Sequence, residues 1–293
     1  MPLVSMAPML RHARANRYGI AAYNMIDYNS ARAIIDGATA LQAPIIVQVS
    51  VKTVKHWGYA AVAGFVRMLA SDAPVPVALH LDHCTDIEVI KRCIGAGWTS
   101  VMFDGSALPY AENLAKSMQI YALTQAAGVG LEAEIGAIGG VEDDKVVNDD
   151  QSRLANFDEC VAFVKDMPDL AVFAPAIGTA HGFYQGEAKI AYDLLQRITD
   201  VIRIPIALHG GTGLTDDQFH RCIALGCGKV NISTMHKRLF INGFIALKSE
   251  KPKLEEPLPF ISAQHGAMQA DVMTCITTFG SAGRAAAVQA AFG

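Results

Sequence analysis

A single (β/α)8 TIM barrel with an added C-terminal helical segment is the fold this sequence predicts, on three observations. Eight short, nearly continuous apolar runs alternate with longer amphipathic stretches, no linker or composition break divides the 293 residues, and every run ends on polar side chains. Parallel strands covered on both faces read as unbroken apolar runs, and joining them in parallel requires crossover helices. One barrel accommodates this length, so residues 1–293 are read as one domain with a helical extension over about 251–293.

The runs fall at 19–24, 44–50, 75–82, 100–106, 129–136, 170–178, 204–210 and 229–234. Helical periodicity occupies segments such as 29–41, 87–96, 109–127, 157–165 and 215–225, with Gly or Pro at many junctions. The stretch 136–157 is long, rich in Gly and Asp and without periodicity, which marks a functional or disordered loop. The tail opens on a Pro- and Glu-rich turn at Lys251 and regains helical periodicity over 261–276.

Composition excludes several classes. With 24 Lys and Arg against 28 Asp and Glu the net charge is −4, and no basic cluster invites nucleic acid or an anionic membrane. Apolar residues make up 52% and charged ones 18%, enough for a large core, and no run approaches the ~20 residues of a membrane span. The opening Met-Pro-Leu-Val-Ser lacks a basic and then apolar leader, so a cytoplasmic location is expected. The six cysteines are scattered and read as free thiols, Cys222 and Cys227 as small buried hydrophobes.

Barrel enzymes place their chemistry on the loops after the strands. The run ends here supply Asn24, Ser50, Asp82 and His83, Asp104 and Ser106, Glu132 and Glu134, Thr179 and His181, His209 to Gly211, and Asn231, Ser233 and Thr234. His83, His181 and His209 come from three separate strands. Imidazoles converging without thiolates suit Zn²⁺ with an open coordination position. His80 lies deeper and reads as a packing or supporting residue, and His12, His56, His220, His236 and His265 as surface. Asn24 and Ser50 are candidate substrate contacts. Gly210-Gly211-Thr212-Gly213 opens a helix after the seventh run and can cradle a phosphate on its N–H groups, with Asn231 to Thr234 beside it.

Negative charge developing in a barrel site can be absorbed by a Schiff-base lysine or by a divalent ion. The inward strand ends carry no Lys; Lys229 is read at the wrong end of the eighth run and Lys145 in a loop, which favours metal. Asp82 beside His83 can take a hydroxyl proton, or alternatively orient a ligand histidine. Glu132 and Glu134 share one face of a strand, with Glu132 equally suited to a core network. Arg284 is a candidate for the distal phosphate of a neighbouring active site, or else a solvated residue of an Ala-rich tail. A barrel hydrolase would want an early His-x-His, which is lacking, and a non-catalytic sugar-phosphate sensor remains the more distant alternative.

Six ordered motifs carry a resemblance. His80-Leu81-Asp82-His83, Ser100-Val101-Met102-Phe103-Asp104-Gly105-Ser106, Glu132-Ala133-Glu134-Ile135-Gly136, Gly178-Thr179-Ala180-His181-Gly182, Leu208-His209-Gly210-Gly211-Thr212-Gly213 and Lys229-Val230-Asn231-Ile232-Ser233-Thr234 are similar to the class II, metal-dependent ketose-bisphosphate aldolases. The sequence looks closest to the branch of fructose-1,6-bisphosphate, tagatose-1,6-bisphosphate and deoxy-ketogluconate-phosphate aldolases. The resemblance implies cleavage to dihydroxyacetone phosphate and glyceraldehyde 3-phosphate, with zinc on His83, His181 and His209. It implies a second, mobile divalent metal near Glu134 and Asp104, and Asp82 as acid/base at the C4 hydroxyl. Glu142 aligns with the carboxylate that moves the triose carbanion's proton, and Gly182, Gly210, Gly211, Thr212, Asn231, Ser233 and Thr234 with the phosphate holders. A Na⁺ or K⁺ near the phosphate and a homodimer or homotetramer are also implied. Cys84 and the Pro-less Gln185-Gly186-Glu187-Ala188 depart from the family pattern on the aldehyde side, leaving the particular ketose phosphate open.

Overall fold

The computed structural model describes residues 3–142, 145–147, 153–184 and 186–292, with side chains described for all of these except 141–142 and 145–147. Eight strands close a parallel barrel: β1 Ile20–Asn24, β2 Ile45–Ser50, β3 Val77–Cys84, β4 Ser100–Phe103, β5 Gly130–Ile135, β6 Val172–Pro175, β7 Ile206–Leu208 and β8 Cys227–Ile232. Each pairs with its sequence neighbours, and β1 closes the ring on β8. Several strands stop short of the apolar runs because their Gly and polar ends leave the ladder to turn over the mouth.

The strands' two faces bury separate clusters, as a period of two demands. Outward residues such as Ala21, Tyr23, Val47, Leu79, Leu81 and Leu131 pack under the helices. Inward residues Ile20, Ala22, Ile46, Ala78, Val172 and Ala207 meet Met6, Met9 and Leu10 of the N-terminal helix Met6–Ala15. That helix, capped by Ser5, plugs the end of the barrel opposite the mouth. Each fully buried Ile, Val, Leu or Met among them contributes about 1.5–3 kcal/mol.

The C-terminal extension is the helix Pro257–Thr278, which buries Met268, Val272 and Ile276 and packs Val272 against Gly37 of the helix Tyr28–Ala40. A short helix, Ala285–Ala290, then returns to the closed end. The stretch read as an aperiodic loop instead holds short strands. Gly139–Glu142 pairs with Lys145–Val147 on one side and with Ala180–His181 on the other. Among the described residues no helix is long and apolar enough to cross a membrane.

Candidate active site

Neighbouring residues on a regular strand face opposite sides, so Asp82 and His83 share the mouth only if the strand is distorted. It is. The β3–β4 register slips between Leu81 and Cys84, and His83 takes φ +43°. Few non-glycine residues adopt that backbone, histidine being among the more tolerant. The kink brings the His83 ring to 4.6 Å from the His209 ring and 5.0 Å from His181, centroid to centroid.

The structure thus brings His83, His181 and His209 together, with one ligand atom of each lying within 4.8 Å of the others. Carboxylates behind the rings select the tautomers. His209 Nε2 is 2.7 Å from Glu132 Oε1, and His83 Nδ1 is 3.2 Å from Asp104 Oδ2. If each carboxylate accepts an N–H, His209 Nδ1 and His83 Nε2, which meet at hydrogen-bond distance of 2.8 Å, are the two nitrogens free to bind one metal ion in place of a shared proton. This donor set fits a divalent ion, its outer partners already fixing the ligand rings. Burial pushes the His209 imidazole down to about 4, partly offset by the Glu132 hydrogen bond, which keeps it a neutral ligand.

Asp104 and Glu134 form a second group with His83. Glu134 Oε2 stands 3.9 Å from both His83 Nδ1 and His209 Nδ1. Asp104 Oδ1 accepts from the Ser106 amide at 3.1 Å and from its hydroxyl at 2.5 Å. Both carboxylates therefore sit beside the imidazole triad, where a second position was expected.

Asp82 is buried and held from one side only. Asn24 Nδ2 donates to its Oδ2 at 2.8 Å, and Gln48 Nε2 donates to Asn24 Oδ1 at 2.7 Å. Oδ1 is buried with no hydrogen-bond partner among the described residues. Asn24 thus orients a carboxylate, and Gln48, absent from the sequence-derived set, locks Asn24. A polar residue inside the run Ile45-Ile46-Val47-Gln48-Val49 was its available signal.

The Gly-rich turn approaches its neighbours so closely that side chains are barred. A Cβ on Gly210 would strike the Ala180 carbonyl, and one on Gly211 would stand 2.7 Å from the Asn231 carbonyl oxygen. Thr212 is buried beside them. Tyr184, also unanticipated, accepts from the Ala180 amide and donates to the Gly210 carbonyl, tying the Gly182 turn to this one. Asn231 Nδ2 and Ser233 Oγ are buried without partners among the described residues, and Ser233 N-caps the helix Thr234–Glu250 without spending its hydroxyl on the cap. Unpaired donors at a helix N-terminus suit an anion. Ser50 is buried, but its hydroxyl caps the helix Val51–Trp57.

Lys229, read at the wrong end of its strand, is fully buried inside the barrel, because β8 starts two residues earlier at Cys227. Its ammonium lies 2.9 Å from Glu132 Oε2 and donates to Asn231 Oδ1 at 2.7 Å, so it is engaged rather than poised as an amine nucleophile. His236, read as surface, is buried against Tyr23 with neither ring nitrogen hydrogen-bonded among the described residues, and burial pushes it down to about 3. Arg284 does not reach this chain's mouth. It stacks over Tyr18 at the closed end, where Gly283 and Ala285 bond to the chain leading into β2. Glu142 ends the strand Gly139–Glu142, and its side chain lies outside the described residues.

Comparison with known proteins agrees with this geometry. Residues 4–284 match the family model described as fructose-bisphosphate aldolase class-II. A fructose-bisphosphate aldolase of Geobacillus stearothermophilus is 36% identical, the match covering 98% of this chain and 100% of that one. A sulfofructosephosphate aldolase of Alkalicoccus urumqiensis is 33% identical, over 97% and 99% respectively. A 6-phospho-5-dehydro-2-deoxy-D-gluconate aldolase of Bacillus subtilis is 34% identical, over 99% of both chains. The crystal structure of the YdjI aldolase from Escherichia coli K12 superposes with a TM-score of 0.85 at 25% identity, covering 97% of this chain and 99% of that one. With a barrel mouth of three convergent histidines and a match along nearly its whole length, this chain belongs to the class II fructose-bisphosphate aldolase family, and is a lyase.

Proposed function

We propose that the protein is a zinc-dependent aldolase that reversibly cleaves a ketose 1,6-bisphosphate, fructose 1,6-bisphosphate first, to dihydroxyacetone phosphate and glyceraldehyde 3-phosphate. The observation carrying this reading is the pairing of three convergent imidazoles with Asp82, whose Oδ1 has no hydrogen-bond partner among the described residues. A divalent ion held by His83, His181 and His209 would supply positive charge for the electron pair released when the carbon–carbon bond breaks.

Asp82 Oδ1 takes the C4 hydroxyl proton as the C3–C4 bond breaks; C4 leaves as an aldehyde and the bonding pair stays on the triose fragment. Asn24 and Gln48 keep that carboxylate from rotating away. Glu142 is the proposed group that returns a proton to the triose carbon, a role that rests on the family resemblance. Asn231, Ser233 and the Gly210–Thr212 turn hold the triose phosphate through backbone and side-chain donors.

A second reading keeps the chemistry and changes the aldehyde half: tagatose 1,6-bisphosphate or a deoxy-ketogluconate phosphate. Relatives bearing such different substrate names at 33–36% identity favour keeping it in view. The test is a coupled cleavage assay with these three ketose phosphates, each with and without chelator. Chelator-sensitive release of dihydroxyacetone phosphate from one of them is expected; turnover indifferent to exhaustive chelation would sink the zinc mechanism.

A further inference from the structure

One buried cation links both halves of the site. Lys229 is fully buried, with its ammonium 2.9 Å from Glu132 Oε2 and 2.7 Å from Asn231 Oδ1. Beyond Glu132 lies His209, at 2.7 Å, and His80 Nε2 stands 3.2 Å from the same carboxylate as Lys229. Two consequences follow from donor and acceptor bookkeeping alone. As a carboxylate Glu132 can only accept, which keeps the His209 proton on Nε2 and leaves Nδ1 as the lone pair, and a carboxylate this buried needs a cation facing it. Lys229 is that cation. Its burial inside the barrel, and that of Glu132, is complete.

The second consequence concerns Asn231. A carboxamide's oxygen and nitrogen edges are nearly equal in shape, so something must choose which one faces the mouth. An ammonium is a donor only. It binds the Oδ1 edge and turns Nδ2 away from itself, and Nδ2 is the buried donor left without a partner among the described residues.

We propose that Lys229 is a positioning residue that sets two elements of the site at once: the metal-facing tautomer of His209 through Glu132, and the donor edge that Asn231 offers to an anion. This rests on the reading of His209 as a metal ligand and of Asn231 as a phosphate donor.

The test compares the parent with Lys229→Met and with Lys229→Met/Glu132→Gln, measuring zinc affinity by chelator competition and inorganic phosphate affinity by calorimetry. Lys229→Met should lose about 10–100-fold in zinc affinity, the range for a lost outer-shell partner. It should also weaken phosphate by about tenfold, the value of one hydrogen bond to a charged group. In the double variant a neutral amide still accepts from His209 and needs no cation, so zinc affinity should return toward the parent while phosphate stays weak. General loosening of the barrel would not produce that split. If the single variant does not fold, the double variant still carries the split. A ¹⁵N histidine spectrum of the metal-free parent provides a separate check, with His209 protonated on Nε2. Parent-like zinc and phosphate affinities in Lys229→Met, joint recovery or joint loss in the double variant, or a proton on His209 Nδ1 would each overturn the proposal. A parent that binds no zinc would sink the aldolase reading instead, and the phosphate arm would still decide on Lys229.

Discussion

The lower and upper halves of the barrel interior are built from the same strands and contain opposite chemistry. Below, Ile20, Ala22, Ile46, Ala78, Val172 and Ala207 close on Met6, Met9 and Leu10. Above, those strands and their neighbours present Asn24, Gln48, His80, Asp82, Glu132, Glu134, His209, Lys229 and Asn231, all buried. Apolar burial below is favourable outright and asks only for good packing. Polar burial above is unfavourable unless each group finds a partner, so those residues fall into linked chains: Gln48 to Asn24 to Asp82, and His80 with Lys229 to Glu132 to His209. The few atoms left over, Asp82 Oδ1, Asn231 Nδ2 and Ser233 Oγ among them, mark where a ligand completes the count. The closed end stabilises; the mouth reacts.

Experiments that act on one half and leave the other untouched test this division. Stripping metal should give the largest effect: cleavage falls to background and returns with Zn²⁺ or Co²⁺, while the lower core stays folded by circular dichroism. Next, Asp82→Ala should keep its metal, by elemental analysis, and lose about 10²–10⁴-fold in turnover; a near-parental rate would remove Asp82 from its role. In the lower half, Ile46→Ala should cost about 2–5 kcal/mol in denaturant unfolding and leave zinc affinity unchanged. A parallel fall in zinc affinity would show the halves to be coupled.

The smallest expected effect is a change in acid sensitivity. His236 is buried neutral, its value held down to about 3 against 6.5 in the unfolded chain. Below 6.5 the unfolded chain takes up a proton that the native state refuses, so stability drops as pH falls from 6.5 toward 3 and is complete above 6.5. His236→Phe keeps a ring against Tyr23 and removes that proton. Its unfolding free energy should therefore depend less steeply on pH in this window, and an unchanged slope would contradict the buried, unpartnered assignment.

Much of this arrangement was legible in the chain. Strand-end position and an alternation of two are local properties, so His83, His181, His209, Asp82, Glu134 and the Gly210-Gly211 turn could be picked out residue by residue, as could the barrel itself. Gln48 was legible too, as a lone amide in an apolar run, but nothing local said what it would hold.

What closure alone decided is which neighbour each of these groups meets. A two-residue difference in where β8 begins moves Lys229 from the edge to the interior, and a register slip with one left-handed residue puts Asp82 and His83 on the same side of a strand. The return of the C-terminal chain to the closed end carries Arg284 away from the mouth. Strand periodicity is written in consecutive residues, whereas register, bulges and the pairing of buried charges arise from contacts between segments far apart in sequence, and only the folded barrel brings those together.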